Sequence, residues 1–377
     1  MHGWTFSRRA LMGTVLGAPA IRTAMAQAGE PYVMGTLFPM SGPNAEYGIA
    51  FTNGAQLAIG HINADNMTRR GVRLQSEDSQ ALPQPSVVGM NKLINVDHAV
   101  WVLVSWTASA KAVAPIGDRA KVIMVNGGGV GPDLSGLSPY FWNVIALAHL
   151  EVPVLLRYLT SQRNVRRVAL IYVDDPLGEA ILGQLRTELP RVNAELVGSF
   201  SVPRAAQTFG PVAARVRQTR PDAVYIASFG AQQSQIIKGM RDNGVTQIIC
   251  SYSAFSIDSV RQLPEAEGAI FTTQKLDFTS GDPVTRRFAT DYRARYNSAP
   301  VAYHANYYNA AYLFGLLARQ VEQAGQPVNG DTLRAAMLAT RTFDLVGGRG
   351  TFDDLGNLMT EMQVNEIRNQ QIVVVQG

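Results

Sequence analysis

Apolar, strand-like runs alternate with segments of helical spacing along almost the whole chain, and this alternation restricts the fold more than any other feature. Runs such as AVWVLV at 99–104 are apolar at nearly every position, as is VALIYV at 168–173. Continuous apolar runs suit parallel strands covered on both faces, because a half-exposed strand would alternate polar and apolar residues. The strand-helix order therefore predicts an α/β fold of doubly wound parallel sheets.

The spacing of apolar residues also predicts where the individual elements lie. Strands are predicted at 32–38, 72–77, 99–104, 121–126, 167–173, 195–200, 223–227, 247–250 and 267–274. Helices are predicted at 47–64, 84–96, 108–119, 147–161, 176–189, 209–219, 231–243 and 282–296.

The chain is long enough to require two lobes, because a single core stops growing below 377 residues. The segment PYFWN at 139–143 interrupts the alternation and ends the first unit. A long helical stretch at 282–340 leaves no room for a sheet of its own and is predicted to pack back on the first lobe. The predicted lobes are 29–145 with 277–344, and 146–276 with 345–377, joined by three hinge crossings near 145, 276 and 345.

Residues 1–28 have the pattern of a cleavable export signal. The segment SRRALM at 7–12 resembles a twin-arginine motif, and a short apolar run follows it. The run is too short to span a bilayer, so a permanent anchor is not expected. Cleavage is expected after Ala28, with Ala26 as the alternative, and would leave a periplasmic protein. An ordinary secretory route stays open beside the twin-arginine route.

Charge and cysteine content exclude several kinds of partner. The net charge is +4, but three arginines lie in the leader, which has no acidic residue. The remaining basic and acidic residues almost balance, so neither nucleic acid nor an anionic membrane surface is an expected partner. Cys250 is the only cysteine, which excludes an internal disulfide. Its apolar surroundings predict a buried thiol.

The first candidate ligand loop is the turn Ser41-Gly42-Pro43, which follows the predicted strand 32–38. The turn leads into a helix that carries Tyr47. A turn between the carboxyl end of a strand and a helix N-terminus presents unpaired backbone N–H groups to a small polar ligand. Tyr47 is therefore a candidate ligand-binding residue.

The second candidate loop contains Trp106, Thr107, Ala108 and Ser109, and it follows the predicted strand 99–104. Hydroxyl groups beside free helix N–H groups can hold a carboxylate or an amide oxygen, and Trp106 offers a stacking face. N-capping by Thr107 or Ser109 would explain the same residues without any ligand. Both interpretations stay open from the sequence.

The third candidate loop is NGGGVGP at 126–132. Its glycines allow the backbone to approach a ligand closely, which makes Gly128, Gly129 and Val130 candidate binding residues. A dinucleotide site is not expected, because no helix begins at the last glycine of the run.

Three further loops, in the predicted second lobe, also follow apolar strands. Their candidate ligand-binding residues are Leu177, Phe229 and Tyr252. Asp175 precedes a proline and is interpreted as the cap of a helix rather than as a member of a catalytic carboxylate pair. Aromatic residues that recur at the same end of several strands would wall a pocket.

The sequence gives little support for catalysis. Five histidines are scattered, and none forms a metal-ligand spacing with the cysteine or with another histidine. No G-x-S-x-G nucleophile elbow occurs. An exported α/β enzyme is the weakest hypothesis, and neither a catalytic residue, a metal nor a cofactor is predicted.

Taken together, the chain resembles the periplasmic binding proteins of the leucine/isoleucine/valine type, the soluble components of branched-chain amino acid ABC importers. The resemblance covers essentially 31–377 and rests on the order of PMSGPNAEYG, GAQLAIGHINADN, SWTASAKAVAPI, GGGVGPDL, VALIYVDDPLGEAI and PDAVYIASFG. It implies a type I fold whose two lobes close around a ligand without chemistry. The family's ligand-contacting positions fall on Tyr47, Thr107, Ala108, Ser109, Gly128, Val130, Leu177, Phe229 and Tyr252.

At three positions the chain departs from an amino-acid binder. The family's serine that meets the carboxylate appears as Ala108, its threonine as Val130, and its acid that pairs with the ammonium as Tyr252. Burying an unpaired ammonium costs several kcal/mol. Unless Asp174, Asp175 or Asp277 replaces that acid, an aromatic or apolar carboxylate, or an uncharged amide, fits better than an amino acid.

The resemblance implies a role as the solute receptor of an importer. The implied partners are a small-molecule ligand and an ABC permease in the inner membrane, and the receptor is expected to be a monomer. A periplasmic sensor that presents its ligand to a signalling partner is the alternative.

Overall fold

The computed structural model describes residues 1–2 and 29–377. The predicted export signal, with both its cleavage sites, therefore lies outside the described residues except for its first two. The strands are β1 Tyr32–Phe38, β2 Val72–Asp78, β3 Trp101–Val104, β4 Ile123–Asn126, β5 Phe141–Asn143, β6 Arg167–Val173, β7 Glu195–Val202, β8 Ala223–Ala227, β9 Ile248–Ser251, β10 Ile270–Gln274, β11 Thr342–Leu345, β12 Gly348–Phe352, β13 Leu358–Met359, β14 Met362–Arg368 and β15 Gln371–Gln376.

Eleven helices are present in the described part of the chain, together with several single turns of 3-10 helix. They are α1 Ala45–Ala64, α2 Pro83–Asn95, α3 Thr107–Ala120, α4 Ala148–Gln162, α5 Pro176–Glu188, α6 Gly210–Gln218, α7 Gly230–Asp242, α8 Asp258–Arg261, α9 Pro283–Tyr296, α10 Ala302–Gln323 and α11 Gly330–Thr340.

The first sheet has five parallel strands in the order β2-β1-β3-β4-β5. Strand β1 lies inside the sheet and is buried at every position, whereas the edge strand β2 is buried only at Val72. This difference follows from the sequence, because only an internal strand covered by helices on both faces can be apolar throughout. We call the unit around this sheet lobe 1.

The second sheet has seven strands in the order β15-β14-β10-β9-β8-β6-β7. Strands β6 to β10 run parallel, and β14 and β15 add to one side as antiparallel neighbours. A separate small sheet is formed by β11, β12 and β13. We call the unit around the seven-stranded sheet lobe 2. The prediction of an α/β fold with two lobes of doubly wound sheet is confirmed.

The helical stretch 282–340 consists of three helices, and the longest of them, α10, packs on α1 of lobe 1. A Cβ atom at Gly54 would lie 2.3 Å from the carbonyl oxygen of His304, so the two helices approach closely because Gly54 has no side chain. Nδ1 of His61 lies 2.7 Å from the hydroxyl of Tyr308 across the same contact. The predicted packing of this stretch on lobe 1 is therefore correct.

Two parts of the chain differ from the predicted elements. The segment 139–143, interpreted as an interruption, contains the short strand β5, which pairs with β4 and closes the first sheet. Strands β11, β12 and β15 were not predicted, because short strands with exposed faces lack a continuous apolar run. Strand β14 was missed because it mixes polar with apolar residues although it is mostly buried, and β13 has only two residues. The chain passes between the two units after β5, after β10 and before β14, and the exact lobe boundaries stay a prediction.

In the described residues, no helix is both long and apolar enough to cross a membrane.

Candidate functional site

A small cavity lies between the two lobes at the carboxyl ends of their parallel strands. Its volume is about 20 Å³, little more than the roughly 10–15 Å³ that one water molecule needs. The lobes are thus closed on each other, and they must lie further apart to hold a solute larger than one water molecule. The residues that line it are Tyr47, Trp106, Thr107, Ala108, Gly128, Gly129, Val130, Asp175, Leu177, Phe229, Tyr252 and Tyr303.

Ten of the eleven candidate binding residues line this one cavity. The exception is Ser109, which is buried in the first turn of α3 and is not part of the lining. Two lining residues, Asp175 and Tyr303, are not among the candidates from the sequence.

Tyr47 joins the two lobes through its hydroxyl group. It lies in the first turn of α1, and its hydroxyl donates to the carbonyl oxygen of Ala254 at 3.1 Å. The same hydroxyl accepts a hydrogen bond from Nε2 of Gln233 at 2.8 Å. Both partners belong to lobe 2, so these two bonds form only when the lobes are closed.

The N-terminus of α3 faces the cavity with free backbone donors. No side chain of the described residues caps this helix, so the capping interpretation of Thr107 and Ser109 is wrong. The Thr107 hydroxyl instead accepts a hydrogen bond from the backbone N–H of Gly131 at 3.0 Å. Trp106, the residue before the helix, has a φ of +63°, a conformation that is costly for a bulky side chain. Uncapped N–H groups and the helix dipole favour a negatively charged ligand group here.

The glycine-rich third loop is shaped by Asn126. Its Oδ1 accepts hydrogen bonds from the backbone N–H groups of Gly128 at 3.2 Å and Gly129 at 2.7 Å, and its Nδ2 donates to the Gly129 carbonyl at 2.8 Å. A Cβ atom at Gly128 would lie 2.8 Å from the hydroxyl of Tyr307. The loop therefore needs glycine to lie close to α10, and it presents its backbone to the cavity.

Asp175 places a carboxylate in the cavity wall from lobe 2. Its Oδ1 accepts hydrogen bonds from the backbone N–H groups of Leu177 at 2.9 Å and Gly178 at 3.0 Å, which confirms that it caps α5. Burial raises the pKa of this carboxyl, while those hydrogen bonds and the charge of Arg204 act in the opposite direction. Asp277, by contrast, lines a different cavity.

Aromatic rings from both lobes meet edge to face around the cavity. The ring centroids of Trp106 and Phe229 lie 5.6 Å apart across the cleft, and those of Tyr47 and Trp106 lie 5.4 Å apart. Tyr303 completes the wall, with its ring centroid 5.4 Å from that of Tyr47. Sequence reasoning missed Tyr303 because it lies in α10, which was assigned only a packing role. The aromatic-rich run AYHANYY at 302–308 was the available signal.

Tyr252 contributes its ring to the cavity rather than its hydroxyl group. The hydroxyl donates to the carbonyl oxygen of Ser228 at 2.8 Å within lobe 2. The indole Nε1 of Trp106 is buried without a hydrogen-bond partner among the described residues. A ligand acceptor could therefore satisfy Trp106 but would not displace the Tyr252 bond.

The described residues contain no group of three or more histidine, cysteine, aspartate or glutamate side chains placed to hold a metal ion. The predicted burial of Cys250 is confirmed, and burial raises the pKa of its thiol. A thiol in this state is a poor nucleophile.

Comparisons with known proteins identify similar sequences. A family model described as "Periplasmic binding protein" matches residues 31–371. The Leu/Ile/Val-binding protein of Escherichia coli K12 is 22% identical over 357 residues, which are 93% of each chain. An amino acid binding protein of Pseudomonas aeruginosa is 24% identical over 218 residues. That alignment covers 57% of this chain and spans only 58% of the Pseudomonas protein.

Solved structures share the fold at low sequence identity. The branched-chain amino acid transporter substrate binding protein LivJ of Streptococcus pneumoniae, in complex with isoleucine, superposes with a TM-score of 0.83 at 19% identity. It covers 92% of this chain and 100% of its own. A solute binding protein of an ABC transporter from R. palustris, in complex with benzoate, superposes with a TM-score of 0.82 at 17% identity, covering 92% and 96% of the two chains.

Proposed function

The chain belongs to the periplasmic binding protein family, and from this premise we propose that it is the substrate-binding component of an ABC-type importer of the branched-chain amino acid group. It captures one small organic solute by closing two lobes around it. It performs no chemistry on that solute.

The observation that carries the proposal is the closed cavity between the lobes. The hydroxyl group of Tyr47 bonds to both Gln233 and Ala254 across the cleft, and Trp106 packs against Phe229. An enzyme needs a nucleophile, a base or a metal in such a cavity, whereas a receptor needs only complementary walls that separate and close. The lining of this cavity suits a receptor.

The chemistry of the walls supports a small carboxylate as the ligand. The uncapped N-terminus of α3 offers backbone donors to a carboxylate, and the aromatic rings offer an apolar body contact. Isoleucine and benzoate, the ligands of two structural relatives, both carry a carboxylate. The ligand is therefore an amino acid or an aromatic or apolar carboxylate, with a small amide as the remaining option.

Asp175 makes an amino acid a better fit to the cavity than the sequence alone suggests. The sequence argument against an amino acid required that no acidic residue replace the family's acid, which stands here as Tyr252. Asp175 lines the cavity and can meet an ammonium group. A zwitterionic amino acid is thus as acceptable to this site as an aromatic acid.

The proposal includes export and a membrane partner. The leader at 1–28 would direct the protein to the periplasm, with the twin-arginine route favoured, and an inner-membrane permease would recognise the closed form. We propose that the receptor is a monomer. A sensory role with a signalling partner is the alternative, and gene neighbourhood separates the two, since an importer component lies beside permease and ATPase genes.

A thermal-shift screen tests the proposal. The purified protein is heated with aliphatic amino acids, aromatic acids and small amides, each in excess. A ligand at 100 times its dissociation constant stabilises the folded state by about 2.7 kcal/mol, which gives a clear rise in Tm. Turnover of a compound that raises Tm, or no rise with any compound of the panel, would contradict the proposal.

A further inference from the structure

A buried carboxyl group lies behind the cavity wall and has no charged partner. Glu151 lies in the first turn of α4 and is fully buried. Its Oε2 accepts a hydrogen bond from the backbone N–H of Ser253 at 3.0 Å. Its Oε1 has no partner among the described residues, and no lysine, arginine or histidine of that part of the chain forms an ion pair with it.

A second polar atom near Glu151 is also buried and unpaired within the described residues. It is the hydroxyl of Tyr225, whose pKa is raised by burial and by the neighbouring Glu151. Buried polar groups of folded proteins are nearly always hydrogen-bonded, so two unpaired groups in one place require an explanation.

This cluster adjoins the ligand cavity through Tyr303 and Tyr252. Tyr303 lines the cavity, and both the burial of its hydroxyl and the nearby Glu151 raise its pKa, whereas a hydrogen bond with Ser253 lowers it. Ser253 directly follows the lining residue Tyr252. The Glu151 carboxyl is therefore separated from the cavity by one layer of side chains. At that depth a charge acts strongly, because the surroundings are dry and of low dielectric constant.

We propose that Glu151 is a specificity-determining residue that supplies the negative charge for a cationic ligand group, such as a primary ammonium, and that binding of this ligand releases a proton from Glu151. The inference rests on the proposed function, since it concerns the ligand of the same cavity.

The proton release follows from the cost of burying a lone charge. Burial raises the pKa of Glu151 to about 8, and the hydrogen bonds from Ser253 offset this only in part. The carboxyl is then neutral at pH 7 until a positive charge arrives. On binding, the O–H bond of Glu151 breaks, its proton goes to solvent, and the carboxylate keeps the electron pair, one layer of side chains away from the ammonium. No oxidant or second reactant is needed.

The pH dependence expected of Glu151 lies between pH 6 and 8. Of the other titrating groups near it, the tyrosines and the cysteine change charge at higher pH, and the remaining two can be tested by substitution. Tyr225 on β8 and Tyr303 on α10 have pKa values raised by burial. Burial also raises the pKa of the Cys250 thiol on β9. On α4 itself, burial lowers the pKa of His149. Asp175 in the cavity wall is the remaining carboxyl, and its pKa is raised by burial.

The test compares two ligand pairs that differ by one amino group: leucine with 4-methylpentanoate, and phenylalanine with 3-phenylpropanoate. Calorimetry at pH 6 and pH 8, in two buffers of different ionisation enthalpy, gives the affinity and the number of protons released. The ligand ammonium stays charged throughout this range. We expect affinity for the amine-bearing member of a pair to rise about tenfold per pH unit, with close to one proton released near pH 7, while its deaminated partner shows no such rise.

Three variants assign the effect. E151Q is expected to lose the pH dependence and the preference for the amine, while it still folds. H149Q is expected to behave as the wild type, and D175N to keep the pH dependence although its affinity changes. The proton count in the wild-type protein needs no variant and so remains decisive if E151Q fails to fold.

Three results would overturn the inference: a pH dependence that survives in E151Q, a wild-type preference for the deaminated partners, or no binding of either amino acid. The last result leaves the proposed function standing if another compound of the thermal-shift panel binds. The proposed function fails if no compound of the panel raises Tm, or if a compound that raises Tm is turned over.

Discussion

The hydroxyl group of Tyr47 accepts a hydrogen bond from Nε2 of Gln233 at 2.8 Å, although the two residues belong to different lobes. Its own proton goes to the Ala254 carbonyl at 3.1 Å. One side chain of lobe 1 thus bonds to two residues of lobe 2, immediately beside the cavity. The first candidate loop is a cavity wall and also part of the contact that holds the cleft closed.

Replacing Tyr47 by phenylalanine should weaken ligand binding with little effect on folding. A net hydrogen bond contributes about 1 kcal/mol, so closure should lose at least that amount and the ligand affinity should fall at least fivefold. Nε2 of Gln233 keeps its hydrogen bond to the Ala254 carbonyl, so the substitution does not leave this group without a partner. Calorimetric titration of Y47F with a ligand found in the screen measures the loss.

The matched control for Y47F is Y32F. The Tyr32 hydroxyl donates to Oε1 of Glu322 at 2.9 Å within lobe 1. Removing it should lower Tm and leave the affinity unchanged. Equal affinity losses in Y47F and Y32F would show that the Tyr47 contact has no particular role in closure.

A methyl group at Gly230 should hold the cleft open. A Cβ atom there would lie 2.0 Å from Oδ1 of Asn44 in the opposite lobe, and 3.2 Å from the carbonyl oxygen of Pro43. Closure then requires the Asn44 side chain to move away and the Pro43 backbone to shift slightly, so we expect G230A to bind ligand more weakly while both lobes stay folded. Titration of the variant, with circular dichroism as a check on folding, gives the result.

Gly244 provides the control for backbone strain. Its φ of +75° is close to the +62° of Gly230, but a Cβ atom at Gly244 would meet only the end of the Arg217 side chain. G244A should therefore lower Tm, as any alanine at positive φ does, without weakening binding. If G244A loses as much affinity as G230A, strain rather than contact between the lobes explains the effect.

Replacing Thr107 by valine should loosen the third loop. The Thr107 hydroxyl accepts the hydrogen bond of the Gly131 N–H, and valine leaves that buried donor unpaired at a cost of about 1–3 kcal/mol. We expect a lower free energy of unfolding in urea and a weaker affinity. Thr160 is the control, because its hydroxyl donates to the Leu156 carbonyl inside α4, away from the cavity. If T160V loses as much affinity as T107V, the Thr107 hydrogen bond has no particular role in ligand binding.

The stability of the ligand-free protein should fall with pH between about 5 and 8 because of Glu151. Its pKa is raised by burial to about 8 in the folded state, while in the unfolded chain it is close to 4.3. The folded state binds the extra proton in that window, so raising the pH costs up to about 1.4 kcal/mol per unit. E151Q should lack this contribution. Urea unfolding of both proteins at pH 5, 6, 7 and 8 measures it, and parallel curves would contradict the raised pKa.

The fold could be predicted from the sequence because most of its strands are marked by a local pattern of apolar residues. Strand β6 and strand β8 are apolar at nearly every position, so their continuous apolar runs alone located them. Strand β14 is antiparallel and mixes polar with apolar residues, and its role depends on pairing with the distant β10. A pairing of that kind follows from the closed tertiary structure and not from any local pattern.

The sequence predicts those residues of the candidate site that directly follow a strand. Trp106, Phe229 and Tyr252 each follow a buried strand, and the topology of parallel sheets brings such positions together. Tyr303 and Glu151 lie in helices, at places that only the approach of the two lobes makes adjacent. Their part in the site depends on the closed arrangement, which the sequence does not encode within any one segment.

The most direct test of the central claim is the distance between the lobes with and without ligand. Spin labels on V88C in lobe 1 and Q207C in lobe 2 occupy exposed positions, while the buried Cys250 stays unlabelled. Double electron–electron resonance should give a long or broad distance distribution without ligand, and a single shorter distance once a ligand from the screen saturates the protein. An identical distribution in both conditions, with binding verified by calorimetry, would contradict capture by lobe closure.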